Sequence, residues 1–306
     1  MINVNVRRAH SLTGHADCVY ALEQGNEPHL FFSAAGDGMV VLWDLRDPGV
    51  GHLIARLPNS IYALHYLKET DWLVSGHNYE GIHVLDWREK KELRSVHLTV
   101  SAIFDIQSFG NDLFVASGEG KVTVIDLRTW SVRKKLDFSE KSARVLAVNP
   151  VFGELAVGYS DNAIRVFDLD DLGLKYEWIG HENSVFALSY TSDFKTLLSG
   201  SRDARLKAWD TSRGYKQSGE VVAHLYAIND IAFSPDGKHF VTCSLDKSIK
   251  VWQTNELKLL KVIDKSRHAG HGTSVNKLSW TSFDNQLLSS SDDGTISVWE
   301  IIFGQA

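Results

Sequence analysis

One short sequence phrase recurs seven times along this 306-residue chain. Each copy alternates apolar and other residues and ends in an aromatic or aliphatic residue that Asp usually follows, as in VVLWD at 40–44 and RLKAWD at 205–210. The aromatic or aliphatic positions are Trp43, Leu85, Ile125, Phe167, Trp209, Trp252 and Trp299. Their spacings of 42, 40, 42, 42, 43 and 47 residues match a four-stranded blade in a radial array. The repeat predicts an all-β propeller of seven antiparallel four-stranded blades that occupies residues 1–306 as one domain.

Composition narrows the possible partners and compartments. The formal charge of −6 gives no general basic footprint, which argues against non-specific nucleic-acid binding. Cys18 and Cys243 lie in different repeats and form neither a disulfide framework nor a zinc spacing, so free thiols in a reducing compartment are predicted. Neither a signal peptide nor an apolar run of about 18 residues is present, so we expect a soluble cytoplasmic protein without membrane contact.

Repeat five shows how one unit is built. Residues 184–190, 196–201 and 205–210 are β-rich segments separated by polar turns, and a weaker fourth strand is predicted near 216–222. No segment of similar length shows a sustained helical period in its apolar residues, which favours an all-β chain.

In the best repeats Gly-His is followed by a strand, then by Ser-x-x-x-Asp and, six residues later, by Trp-Asp. This order resembles the WD40 family over essentially the whole sequence. The resemblance implies a hydrogen-bonded His–Ser/Thr–Asp–Trp chain inside each well-matched blade. The four sets are His15, Ser33, Asp37 and Trp43; His181, Ser199, Asp203 and Trp209; His224, Thr242, Asp246 and Trp252; and His271, Ser289, Asp293 and Trp299. They look like hydrolase triads, but their recurrence with a Trp partner favours a structural role. No catalytic residue is predicted.

Repeats two to four depart from this pattern. Repeat two keeps Ser75 but has Tyr79 and Leu85 at the Asp and Trp positions, and repeat four keeps Asp161 but has Phe167 for Trp. We expect these blades to depend on apolar packing and to form the less rigid sector.

Ring closure is predicted from the two ends of the sequence. The last repeat reaches only its third strand, and INVNVRRAHSL (2–12) precedes the first Gly-His. Pairing this segment with the last blade would cover an exposed edge, as in WD40 proteins.

The resemblance also implies where partners bind. In peptide-binding WD40 proteins the residue after the apolar anchor of each first strand often contributes to the channel rim on the top face; here alignment gives Tyr20, Tyr62, Phe104, Leu146, Phe186, Asn229 and Asn276. The predicted partner-binding set is Tyr20, Tyr62, Phe104, Arg144, Phe186, Arg202, Asn229, Leu245 and Asn276. Aromatic and Arg residues are enriched at binding hot spots. The alternative is that the aromatics are filler between blades.

The charged residues of the top-side loops indicate a face with a basic sector and an acidic sector. The basic candidates are Lys141, Arg144, Arg202, Arg205 and Lys247, and the acidic candidates are Asp17, Asp37, Glu80 and Glu119. A basic sector suits an acidic or phosphorylated segment, whereas a solvated mixed-charge rim is the alternative.

These features favour a non-catalytic scaffold that binds a protein or peptide, with a monomeric propeller inside a larger complex. A propeller hydrolase or lyase and a nucleic-acid-binding propeller are the alternatives; G-x-S-x-G, H-E-x-x-H and Walker motifs are absent from the sequence. No cofactor is predicted. No metal site is predicted either, because His268 and His271 lack a visible third ligand.

Overall fold

The computed structural model describes residues 3–304 as a ring of seven four-stranded sheets, which confirms the predicted architecture. Six sheets are built from four consecutive antiparallel strands, and the seventh combines the last three strands with the first. Within the described part of the chain, no helix has the length and apolar character required to cross a membrane.

The strands are numbered in chain order. The strand that precedes blade one is β1 (Asn3–Leu12). Blade one comprises β2 (Val19–Gln24), β3 (Leu30–Ala35), β4 (Met39–Asp44) and β5 (His52–Arg56), and blade two comprises β6 (Ile61–Leu67), β7 (Trp72–His77), β8 (Gly81–Asp86) and β9 (Lys91–His97). Blade three comprises β10 (Ile103–Phe109), β11 (Asp112–Ser117), β12 (Lys121–Asp126) and β13 (Ser131–Asp137), and blade four comprises β14 (Ala143–Asn149), β15 (Glu154–Tyr159), β16 (Ala163–Asp168) and β17 (Leu174–Ile179).

Blades five to seven continue the same plan. Blade five comprises β18 (Val185–Tyr190), β19 (Thr196–Ser201), β20 (Arg205–Asp210) and β21 (Lys216–Val222), and blade six comprises β22 (Ile228–Phe233), β23 (His239–Ser244), β24 (Ile249–Gln253) and β25 (Lys258–Ile263). Blade seven comprises β26 (Val275–Trp280), β27 (Gln286–Ser291), β28 (Ile296–Gly304) and β1. Three short helical segments lie in connections: Thr211–Arg213, α1 (Lys265–His268) and Phe283–Asn285.

Burial changes from the inner strands to the outer strand of a blade. All six residues of β11 and β15 are buried, because other blades cover both faces of these strands. The outermost β9 (KELRSVH) is almost entirely exposed and carries charged residues, which protect a sheet edge from pairing with another chain.

The apolar core lies between blades. Each of the seven buried clusters in the described residues joins two neighbouring sheets. Val40 of blade one packs in the same cluster as Leu73 of blade two, and Val241 of blade six packs with Trp299 of blade seven. The ring is therefore stabilised by packing between successive blades.

The first strand closes the ring, as predicted. β1 pairs antiparallel with β28 from Asn3 opposite Gly304 to Leu12 opposite Ile296. Val4 is buried in the cluster between blades six and seven. Ile2, which the sequence assigned to this strand, lies outside the described residues.

Candidate functional site

The structure brings together each of the four predicted His–Ser/Thr–Asp–Trp sets. In blade one the indole N–H of Trp43 donates to Ser33 Oγ at 2.8 Å, and Ser33 Oγ donates to His15 Nε2 at 2.8 Å. His15 Nδ1 in turn donates to Asp37 at 3.2 Å. Blades five, six and seven repeat this chain, with Thr242 replacing Ser in blade six.

The hydroxyls of these four sets are closed off from solvent. The Ser or Thr side chain has 0 % exposure in all four blades, so a substrate cannot reach the hydroxyl. Burial lowers the pKa of His15 and His224, although their Asp partners oppose the shift. Burial alone would raise the pKa of Asp203, but the hydrogen bond from His181 lowers it to about 2. Each chain thus satisfies a set of buried polar atoms.

A β-bulge at the start of every innermost strand sets the rim of the central channel. The register between the first and second strands shifts at one residue in each blade. The residues at the shifts are Tyr20, Tyr62, Phe104, Arg144, Phe186, Asn229 and Asn276. Bulges redirect side chains, and all seven line one open depression of about 410 Å³ on the top face. We define the top face as the side that carries the turns between the second and third strands of each blade.

Aromatic rings occupy one side of this depression. Tyr20 and Tyr62 meet edge to face with 4.6 Å between centroids, and Tyr62 stacks on Phe104 at 5.9 Å. The Arg144 guanidinium lies 4.1 Å from the centre of the Phe104 ring and 5.4 Å from that of Phe186. The result is a continuous arc across blades one to five, made of ring faces and one cation.

Arg144 is held in place without an acidic partner among residues 3–304. Its Nε donates to Ser160 Oγ at 2.9 Å. Burial and the positive charge of Arg202 both lower its pKa, although a guanidinium remains charged in proteins. A preorganised, unneutralised cation of this kind favours an anionic ligand.

Several predicted positions differ from the sequence alignment. Alignment placed Leu146 on the rim, but Leu146 is buried in the core, because the bulge of blade four occurs earlier, at Arg144. Arg202 and Leu245 are exposed on top-face turns outside the depression. Arg205 is paired with Glu220, which removes it from the basic sector.

The sequence analysis missed an apolar ridge beside the depression. Leu225 and Tyr226 are 82 % and 60 % exposed in the connection between blades five and six, and Leu245 is 50 % exposed. The adjacent turns are joined by a hydrogen bond from Leu245 N to the Ala227 carbonyl oxygen at 3.1 Å. The available signal was a pair of large apolar residues directly after the predicted network histidine, His224.

Below the rim, charged side chains line the channel and join neighbouring blades. Glu23, Asp105 and Asp230 accept main-chain N–H groups from the innermost strand of the next blade at 2.7 to 2.9 Å. Burial raises the pKa of Glu23 to about 7 and raises that of Asp105. Lys277 Nζ lies 3.2 Å from Asp230. These residues connect neighbouring blades, and two of them, Asp105 and Lys277, also line the depression.

A second polar group lies at the turn between β7 and β8, where His77, Glu80 and His83 bring potential metal-ligand atoms together. The sequence analysis missed it, although the H-x-x-E-x-x-H spacing across a turn was visible. Of the two histidines that it did consider, His271 belongs to the network of blade seven.

Comparison with known proteins supports the repeat assignment. The family described as "WD domain, G-beta repeat" matches residues 7–44, 173–210, 215–253 and 263–300. The "66 kDa stress protein" of Physarum polycephalum is 25 % identical over 301 residues, covering 96 % of this chain and 48 % of that protein. "Small ribosomal subunit protein RACK1y" of Oryza sativa subsp. japonica is 24 % identical over 158 residues, covering 50 % of this chain and 45 % of that protein.

A solved structure supports the fold. The WD40 β-propeller domain of Doa1 superposes with a TM-score of 0.85 at 17 % identity, covering 97 % of each chain. The chain spans about half the length of the curated relatives it matches.

Proposed function

The chain belongs to the WD40 repeat family, and from that premise we propose that it is a non-catalytic scaffold whose top face binds a protein partner. The observation that carries the proposal is the convergence of seven bulged residues, one from each blade, around a single open depression. Repeat scaffolds with broad rigid surfaces are suited to binding other chains.

The chemistry of the face supports an acidic or phosphorylated partner segment. Arg144, Arg202 and Lys247 have no ion-pair partner within the described chain, and Arg202 and Lys247 are exposed. Arg144 is clamped between aromatic rings, so binding an anion there costs little side-chain entropy. The neighbouring Leu225–Tyr226 ridge offers apolar contact, so the proposed segment also carries an apolar residue near its acidic group.

The competing function classes have less support. The four triad-like sets have inaccessible hydroxyls, which removes the strongest sequence argument for a hydrolase. The formal charge of −6 disfavours a nucleic-acid scaffold. The name of the rice relative places that protein in the small ribosomal subunit, a multicomponent assembly, which is consistent with a scaffold role for related propellers.

The test is quantitative affinity purification from the native host with three matched baits. The first is the wild-type protein, and the second is Phe186→Ala/Arg202→Glu on the top face. The third is Phe152→Ala/Lys195→Glu, which changes an exposed aromatic and an exposed cation in turns on the opposite face. All three must show the same circular dichroism spectrum and similar melting temperatures.

We expect a partner that the wild type and the opposite-face variant capture equally and that the top-face variant loses at least 10-fold. Phosphatase treatment of the lysate should abolish the capture of a phosphorylated segment. The capture of an acidic segment should survive this treatment but weaken in high salt. Equal capture by all three baits would place the interface elsewhere. Salt-sensitive capture that nuclease abolishes would favour nucleic acid instead.

A further inference from the structure

Three potential metal ligands meet at the turn between β7 and β8. Nδ1 of His77 lies 3.3 Å from Glu80 Oε2, and Nε2 of His83 lies 3.7 Å from the same oxygen. All three ligand atoms fall within 4.8 Å of one another. The two imidazole rings stand nearly perpendicular, with centroids 5.2 Å apart.

The hairpin brings these side chains together. His77 faces Gly81 across the two strands and Ser75 faces His83, so the two histidines are diagonal neighbours on one face of the sheet. Gly81 has φ of 155°, and a Cβ there would lie 2.0 Å from the Val96 carbonyl oxygen. Only glycine fits opposite His77, so no side chain at this position separates the two rings.

Two of the ligand separations, 3.3 and 3.7 Å, are close to those of a zinc-class site. With metal–nitrogen and metal–oxygen bonds of about 2.0–2.1 Å, ligand atoms in a tetrahedral site are separated by about 3.3 Å. We propose that His77 Nδ1, His83 Nε2 and the Glu80 carboxylate bind one divalent zinc-class cation. Glu80 is half exposed, so the fourth coordination position faces solvent on the top face.

Two buried nitrogen atoms lack other partners. His77 is 1 % exposed and His83 is 6 % exposed, yet neither His77 Nδ1 nor His83 Nε2 has a hydrogen-bond partner in the described chain. Buried polar atoms are nearly always satisfied. These are the two atoms that point toward Glu80, and a cation placed between the three groups would satisfy both.

The groups around the cluster set its proton positions. His83 Nδ1 donates to Glu92 Oε1 at 2.9 Å, which leaves the lone pair on Nε2 and supplies the carboxylate that commonly supports a ligating imidazole. His77 Nε2 accepts the Asn59 N–H at 3.1 Å, so without metal the ring proton lies on Nδ1. Metal binding moves that proton to Nε2. The donor is the main-chain N–H of Asn59, so metal binding at Nδ1 breaks this hydrogen bond.

The test titrates Zn²⁺ into chelator-stripped full-length protein, measured by calorimetry and by competition with a chromophoric chelator. We expect one saturable site per chain. Glu80→Gln and His83→Gln should weaken Zn²⁺ binding more than 10-fold, and Glu92→Gln should weaken it about 10–100-fold. His10→Gln removes an exposed histidine of β1 and should leave binding unchanged.

A second readout separates this site from adventitious histidine binding. Zn²⁺ should shift the Asn59 amide resonance of the wild type and leave it in place in Glu80→Gln. Because Glu80 is half exposed, this variant should fold normally, as its zinc-free melting temperature will report. Absence of saturable binding to the wild type, or equal binding by wild type and both ligand variants, would overturn the proposal. This site is independent of the proposed partner surface, so either can fail alone.

Discussion

At the scale of single residues, one position in the second strand has opposite surroundings in different blades. Ser199 Oγ accepts the Trp209 indole N–H and donates to His181, with both distances under 3 Å. Ser75 occupies the corresponding position of blade two, but its buried hydroxyl has no partner in the described chain. The same side chain therefore satisfies two buried groups in blade five and leaves one unsatisfied atom in blade two.

This contrast predicts different outcomes for the same substitution. Ser199→Ala leaves the Trp209 and His181 nitrogens unpaired and should lower the free energy of unfolding by about 2–4 kcal/mol. Ser75→Ala removes an unsatisfied hydroxyl and should change it by less than about 1 kcal/mol or raise it. Urea unfolding of both variants measures the difference. Equal losses would show that the hydrogen-bonded chain contributes no more than packing does.

At the scale of secondary-structure elements, alternation in the sequence predicted the strands but not their irregularities. The third strands ending near Trp43, Trp209 and Trp299 were located because their apolar residues alternate. The bulge was not visible, because one extra residue does not interrupt an apolar pattern. In blade four the strand alignment therefore placed Leu146 at the bulge position that Arg144 occupies, although the predicted partner-binding set did include Arg144.

Ring closure by β1 predicts a large effect of removing it. Deleting residues 2–9 takes away Val4 and most of the pairing with β28, exposing an edge strand and part of the core between blades six and seven. We expect the melting temperature to fall by about 10 °C or more. The matched control is Arg7→Gln, which breaks only the exposed ion pair with Glu300 and should shift it by about 2 °C or less. A deletion variant that melts like the control would contradict the closure argument.

At the scale of the whole molecule, the sequence was sufficient to predict the architecture but not the features of the surface. Blade number followed from the spacing of Trp43 to Trp299, because each repeat folds as one sheet. Seven of the nine proposed rim residues surround one depression, yet their binding role stays a prediction. The Leu225–Tyr226 ridge and the His77–Glu80–His83 cluster depend on which turns become neighbours, and a repeat pattern does not specify that.

The distribution of polar networks around the ring predicts an uneven native-state stability. Blades five and six each contain a complete buried chain, whereas Ser75 in blade two and the Tyr159 hydroxyl in blade four have no hydrogen-bond partner among residues 3–304. Blade four partly compensates with the Arg165–Asp161 pair at 2.8 Å, so the weakest blade should be blade two.

Amide hydrogen exchange resolves this gradient strand by strand. The amides of β7 should exchange about 10-fold or more faster than those of the corresponding β19, equivalent to about 1.4 kcal/mol in opening free energy, with β11 and β15 between them. Chelator must be present, because Zn²⁺ bound at His77 would stabilise β7 and mask the difference. Equal protection of β7 and β19 would mean that packing between blades makes the ring open as one cooperative unit, whatever polar chain each blade contains.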